Sequence, residues 1–387
     1  MKKICFISSS RADYGLLRNL MTEISTSSNI EMQLIVSGTH LSEAHGLTIE
    51  QIKADGFVID EQVPILTKPK DTAAKINKNI AVAINGFSNA YLKLKPDFVL
   101  VLGDRYEILA AAISATIQKI PIIHLHGGEL TIGAYDESFR HAITKMSHIH
   151  FAAAEQYKDR IIQLGEQPHN VFCVGGMGVD SIKQTTLLSK DELCEALGIE
   201  LNQRSLLVTY HPETLSINNT LDDVNELLTA LDWMEETTVC FTMPNADSNS
   251  SHVIKKIQKY AHTHKNTYLF KSLGQEKYYS CLNVFNAVVG NSSSGLLEAP
   301  TFKIPTINIG ERQSGRLKAD SVIDCIPKSK EIKQAIDIAF SEKFRSKLKY
   351  AKNPYGEGGA AKKIKEILET FELKNGLQKT FYDLQKN

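Results

Sequence analysis

One alternation runs through this chain twice and restricts its fold more than any other feature. Short runs rich in Ile, Val, Leu and Phe end in Gly, Ser, Asp or His, and a longer stretch of helical periodicity follows them. In the first half the apolar runs fall at residues 3–8, 33–37, 98–103, 120–126, 150–153 and 171–174. Helices are expected near 15–25, 73–94, 105–118, 137–146 and 155–164. Near-continuous apolar strands alternating with helices predict a parallel sheet covered on both faces. The pattern restarts with strands at 205–210, 238–242, 267–270, 287–290 and 306–309, and helices near 221–235, 251–264, 275–283, 295–299 and 331–339. The expected fold class is α/β, two Rossmann-like doubly wound domains facing a cleft.

A chain of 387 residues has room for two or three domains of roughly 150 residues each. A glycine cluster (Gly175, Gly176, Gly178) followed by a polar stretch marks the junction. Residues 1–175 then form the first domain and 176–358 the second. In the segment 359–387, a helix over 360–371 is expected to pack back on the first domain. Lys and Arg number 44 and Asp and Glu also 44, a balance that argues against an electrostatically driven nucleic-acid binder. The longest suspicious uncharged stretch, residues 108–118, has 11 residues, whereas a membrane-spanning helix needs about 20. The apolar run at 4–7 behind Lys2 and Lys3 is too short for a signal peptide. Six dispersed cysteines with no CxxC fit a reduced cytoplasmic protein and argue against a structural zinc site.

In doubly wound sheets ligands bind beyond the carboxyl ends of the strands, so the residues that follow each strand matter most. The first strand ends in Ser8-Ser9-Ser10-Arg11-Ala12-Asp13, which is either an anion-binding loop supported by Arg11 or a Ser N-cap with a solvated Arg. It contains no GxGxxG, so a nicotinamide site is not supported, and no cofactor is expected. Later strands end in Gly103-Asp104-Arg105 and His124-Leu125-His126-Gly127-Gly128-Glu129, with Asp136-Glu137-Ser138-Phe139-Arg140-His141 close behind. Asp104, His126, Glu129, Asp136, Glu137, Arg140 and His141 could thus converge on one crevice. Carboxylates raise one another's pKa and a nearby cation lowers it, so such a cluster supplies both a proton acceptor and a proton donor. Glu137 and His141, spaced i, i+4, could equally pair on a helix face. His124 and His126 are i, i+2 on the expected strand and should face the same side. Without HExxH or a Cys set, a metal site is not expected.

In the second half, His211-Pro212 follows one strand and Pro244-Asn245 the next. The sharpest signal is Gly290-Asn291-Ser292-Ser293-Ser294-Gly295-Leu296-Leu297-Glu298, between an apolar strand and a helix. Small residues admit a phosphate close to the backbone, where hydroxyls and N–H groups can hold it; a Ser-rich helix cap would read the same way. Glu298, about one turn on, suits a pair of sugar hydroxyls, and Arg312 and Arg316 suit a diphosphate. These residues describe an enzyme acting on a nucleoside-diphosphate sugar.

Several of these motifs, in order, carry a resemblance. They are Ser10-Arg11-Ala12-Asp13-Tyr14, Gly103-Asp104-Arg105, His126-Gly127-Gly128-Glu129, Arg140-His141-Ala142-Ile143-Thr144-Lys145, His211-Pro212 and Gly290-Asn291-Ser292-Ser293. As a set, spread from near residue 4 to near residue 316, they resemble the hydrolysing UDP-N-acetylglucosamine 2-epimerases of sialic-acid and legionaminic-acid biosynthesis. The resemblance implies the glycosyltransferase-B architecture, no nicotinamide, no obligatory metal, and a homo-oligomer (dimer or tetramer). It implies conversion of UDP-N-acetylglucosamine and water to N-acetylmannosamine and UDP. The route is anti elimination to a 2-acetamidoglucal, then water addition at C1 with a proton returned to the other face of C2. Asp104 and Asp136 match catalytic carboxylates of the family, His211 its interdomain His, His40 a substrate-side His and Glu298 the ribose-binding Glu. Arg11, Arg105, Asn245, Ser292, Ser293 and Arg312 complete the expected UDP-sugar contacts. Many relatives carry a catalytic Glu where this chain has His126, so either His126 is the base or Glu129 reaches in. UDP-N,N′-diacetylbacillosamine as substrate, or a glycosyltransferase of the same architecture, are the alternative readings.

Overall fold

The computed structural model describes residues 1–43, 46–66, 72–131, 135–212, 220–243, 250–373 and 376–384. The chain divides into two compact units. One comprises Met1–Glu129, Tyr135–Ser181 and Gly358–Asn387; the other comprises Leu130–Ala134 and Ile182–Glu357.

The first unit is built on seven strands: β1 (Lys2–Ser8), β2 (Ile30–Ser37), β3 (Glu61–Val63), β4 (Phe98–Leu102), β5 (Ile122–Leu125), β6 (Ile149–Ala152) and β7 (Val171–Cys173). Their order is β3-β2-β1-β4-β5-β6-β7, with every pairing parallel. Alternation along each strand sorts side chains to the two faces. Ile4, Phe6, Leu100, Leu102, Ile123 and Leu125 join one apolar cluster, with Leu17, Leu20, Met21 and Ile24 from the helix Arg11–Ser25 and Ile364 and Leu368 from the helix Ala360–Thr370. Cys5, Ile7, Val99, Val101 and Ile122 point the other way, onto Phe87 and Tyr91 of the helix Ala73–Leu94 and the alanines of the helix Tyr106–Ile117. Each fully buried Ile, Leu or Phe contributes about 1.5–3 kcal/mol, which is why these strands read as unbroken apolar runs.

The second unit repeats the design with β8 (Arg204–Thr209), β9 (Thr237–Thr242), β10 (Thr267–Phe270), β11 (Ala287–Gly290), β12 (Thr306–Ile309) and β13 (Val322–Cys325). The order is β10-β9-β8-β11-β12-β13, again all parallel. In both sheets the winding reverses beside the first strand, between β1 and β4 and between β8 and β11. β3 and β13 were not expected from the sequence. Both are edge strands; β3 is three residues, two of them polar, and β13 is partly exposed and carries Asp324.

The helix Ala360–Thr370 belongs to the first unit and is pinned at both ends. Its N-terminal position Gly359 has no side chain to cap it, and Asp180 does so from afar. The Asp180 carboxylate accepts from the backbone N–H of Gly359 (2.5 Å), Ala360 (3.1 Å) and Ala361 (2.7 Å). At the other end the Lys2 ammonium donates to the carbonyls of Leu368 (3.0 Å) and Phe371 (2.6 Å). Negative charge at a helix N-terminus and positive charge at its C-terminus both oppose the helix dipole. Asp180→Ala is expected to lower stability by about 1–3 kcal/mol, read as a shift in the urea denaturation midpoint.

Candidate active site

At the end of β1, Ser10 caps the helix Arg11–Ser25, and Asp13 closes a reciprocal box with it. The buried Asp13 carboxylate accepts from Ser9 N (3.0 Å), Ser10 N (3.0 Å), Ser9 Oγ (2.8 Å) and Ser8 Oγ (2.6 Å). Burial alone would raise its pKa; the nearby His40 ring, 3.8 Å from the carboxylate, and hydrogen bonds from the serines hold it below the ordinary carboxylate range. Two of the loop's N–H groups are therefore spent on Asp13. His40 is fully buried, with Nε2 on Ser8 Oγ (2.9 Å) and Nδ1 on Thr48 Oγ1 (2.7 Å), so it braces this loop from behind. Arg11 stands exposed on the first turn.

The ends of β4 and β5 bring the sequence-predicted acid/base residues together. Arg140, buried on the helix Asp136–Met146, is the hub. Its Nη2 pairs with the Asp104 carboxylate and its Nη1 donates to the His126 carbonyl at 2.7 Å. The sequence placed Arg140 in the cluster without a role, because both partners come from other segments. Asp136 opens the same helix, and burial, then the charge of Asp104, pushes its pKa up to about 6. A carboxyl group that holds its proton near pH 6 can act as a proton donor. Arg105 is engaged elsewhere, through two bonds to the buried Glu107 carboxylate (3.0 and 3.2 Å). Glu137 and His141 pair on one helix face at 3.0 Å.

The two histidines of β5 part company. His124 is buried, with Nε2 on the Gly103 carbonyl (2.9 Å) and Nδ1 on Thr144 Oγ1 (3.2 Å). A carbonyl only accepts, so Nε2 carries the proton and Nδ1 accepts from Thr144. Burial drives the His124 pKa down to about 3, which leaves a neutral structural ring. His126 does not share that side as expected, because β5 ends at Leu125 and His126 turns into the left-handed region at φ +61°, uncommon for a residue with a side chain. Its Nδ1 meets Glu129 Oε1 at 2.7 Å. Both are more than nine-tenths buried, and His126 Nε2 has no hydrogen-bond partner among the described residues. Gly128 makes this turn possible. At φ +75°, a Cβ there would lie 2.3 Å from the Tyr157 carbonyl oxygen, so the loop lies flush on the helix Glu155–Gln163.

In the second unit, the loops after β8, β11 and β12 meet. Asn291, fully buried, clamps the backbone of His211. Its Oδ1 accepts from His211 N (2.7 Å) and its Nδ2 donates to the His211 carbonyl (2.8 Å). Arg312 Nη1 (3.0 Å) and Gln313 Nε2 (2.9 Å) both donate to the Asn291 carbonyl. Burial, then the Arg312 charge, lowers the His211 pKa to about 3, so its imidazole is neutral. Ser292 and Ser293 are half-buried at this junction. The helix they open, Ser294–Leu297, has only four residues, so it offers little of a long helix's dipole. Glu298 is committed to Ser294 Oγ and Tyr279 OH (3.3 Å for the latter), and burial pushes its pKa above the ordinary range. Asn245 lies outside the described residues. Among the described residues no group of three His, Cys, Asp or Glu side chains is placed to hold a metal. No helix there is long and apolar enough to cross a membrane.

The two units thus each carry a polar cluster at the carboxyl edge of a parallel sheet, the place where doubly wound α/β enzymes bind their ligands. The sequence model of the UDP-N-acetylglucosamine 2-epimerase family matches residues 22–369. The "GDP/UDP-N,N'-diacetylbacillosamine 2-epimerase (hydrolyzing)" of Campylobacter jejuni is 42% identical over 386 residues, spanning 99% of both chains. "Polysialic acid biosynthesis protein P7" of Escherichia coli is 39% identical, over 99% of this chain and 98% of its own. In fold, the structure of the Methanocaldococcus jannaschii UDP-GlcNAc 2-epimerase in complex with UDP-GlcNAc and UDP superposes with a TM-score of 0.76. It is 17% identical and covers 95% of this chain and 99% of its own. The chain belongs to the UDP-N-acetylglucosamine 2-epimerase family, and it is a hydrolysing UDP-sugar 2-epimerase.

Two outcomes are expected at these sites. In Asp104→Asn, loss of the like charge favours ionised Asp136. Its titration near pH 6 should move down without reaching the ordinary carboxylate value, since burial persists; carboxyl ¹³C NMR reads this directly. Gly290 sits at φ +134°, with the Thr209 carbonyl oxygen 1.9 Å from where a Cβ would be. Gly290→Ala should therefore cost about 2–4 kcal/mol in denaturant unfolding.

Proposed function

We propose that the protein converts UDP-N-acetylglucosamine and water into N-acetylmannosamine and UDP. The second unit would grip the diphosphate through Ser292, Ser293 and Arg312, with neutral His211 beside them, and stabilise the charge that UDP gains as the C1–O bond breaks. The first unit would handle the protons. Elimination needs a group to take the C2 proton, and water addition needs an acid to return one to the opposite face. Asp104, Asp136 and the His126–Glu129 turn are the groups available. The observation that carries this reading is their convergence through Arg140 at the carboxyl ends of neighbouring parallel strands, in a chain that matches the family across residues 22–369.

A second reading, UDP-N,N′-diacetylbacillosamine as substrate, is favoured by the name of the 42%-identical Campylobacter jejuni relative. Both readings imply a cytoplasmic enzyme and a homo-oligomer, a dimer or tetramer that sedimentation would measure.

Turnover in D₂O should release free UDP and place deuterium at C2 of the sugar, as read by NMR. A product protonated at C2, or UDP release that requires an acceptor, would remove the epimerase reading in favour of a glycosyltransferase. Competition of the two UDP-sugars at equal concentration chooses between them. Arg312→Ala is expected to raise KM roughly 10–100-fold, the worth of a charged hydrogen bond.

A further inference from the structure

The turn after β5 holds an imidazole in an arrangement that packing alone does not call for. His126 adopts φ +61°, its Nδ1 lies 2.7 Å from Glu129 Oε1, and its Nε2 is buried without a hydrogen-bond partner among the described residues. A polar atom in that state is a desolvated group with nothing to satisfy it, which folding disfavours. A carboxylate only accepts, so the proton on the ring belongs on Nδ1, and Nε2 is left as a bare acceptor.

Resting on the epimerase reading above, we propose that His126 is the base that takes the C2 proton through Nε2, and that Glu129 is the positioning residue that fixes its tautomer. In the elimination step the C2–H bond breaks and its proton goes to Nε2. The electron pair of that bond becomes the second bond between C1 and C2, and the C1–O pair departs with UDP. The imidazolium that results keeps its Nδ1–H on Glu129, whose charge offsets the one just created. This division of labour suits the geometry better than direct action by Glu129, whose Oε1 is already occupied by the ring. Arg140 completes the support by donating to the His126 carbonyl at 2.7 Å, which holds the strained backbone in place. The other ionisable groups around the turn are Asp104, paired to Arg140, Asp136 on the same helix as Arg140, Arg160, which donates to the Gly128 carbonyl, and neutral His124 on β5.

The wild-type chain, labelled with ¹⁵N-histidine and assigned with His126→Gln, tests the tautomer by NMR at pH 8. A protonated Nδ1 with an unprotonated Nε2 is expected; a proton on Nε2 overturns the proposal. In kinetics, His126→Gln should lower kcat by roughly 10²–10⁴-fold with KM changed less than about threefold. Glu129→Gln should lower kcat by about 10²-fold and move the acid limb of the kcat profile to lower pH, because the anion that stabilises the imidazolium is gone. Glu129→Asp, which keeps the charge, should recover part of the rate and the original limb. A Glu129→Gln enzyme with wild-type kcat and an unmoved limb overturns the dyad. Wild-type turnover judges the epimerase reading separately, since the ring tautomer is read without substrate.

Discussion

A parallel strand buried on both faces can expose polar chemistry only at its ends. That constraint organises this protein. The apolar side chains along β1, β4 and β5 are committed to one of two layers, and Asp13, Asp104, His126 and Glu129 all occur just past a strand terminus. The same holds for His211, Asn291 and Arg312 after β8, β11 and β12. The reversal of winding beside β1 and β8 separates neighbouring connections there and leaves room for these loops, which is why ligands of such sheets collect at that position.

The electrostatics within the first unit follow from how few charges are left uncompensated. Arg140 neutralises Asp104 and anchors the His126 backbone with the same guanidinium, coupling a carboxylate on one loop to an imidazole on another. Burial keeps His124 neutral, so it holds the loop after β4 through the Gly103 carbonyl without adding charge. What remains is a graded set: an Arg-paired carboxylate, a carboxyl group poised near pH 6, and an imidazole backed by Glu129. The second unit uses a different logic. Arg312 binds a backbone carbonyl, and burial together with its charge depresses the basicity of His211, which keeps the loop cationic through one residue that cannot lose its proton.

Much of this was legible in the sequence because apolar periodicity reports burial. β10, β11 and β12 stand where their apolar runs predicted, as does the long helix Ala73–Leu94. The edge strands β3 and β13 escaped because a half-covered strand carries polar residues and loses its signature. The acid/base residues were visible as polar clusters after strands; their connections were not. Nothing local announces that Arg140 bridges Asp104 and His126, that Asp180 caps a helix starting 180 residues later, or that His126 leaves the strand in a left-handed turn. Each depends on contacts between segments brought together only by folding. Likewise, the serine loop after β1 looks like an anion site until Asp13 is seen to take its hydrogen bonds.

The placement of the helix Ala360–Thr370 bears on how the protein is made. The first unit takes one of its packed helices from residues 360–370, although most of it is synthesised before the second unit. As the ribosome delivers the chain in order, the apolar face formed by Leu17, Leu20 and Ile24 must wait for Ile364 and Leu368 while the whole intervening unit emerges. The first unit is thus completed only after the second has emerged.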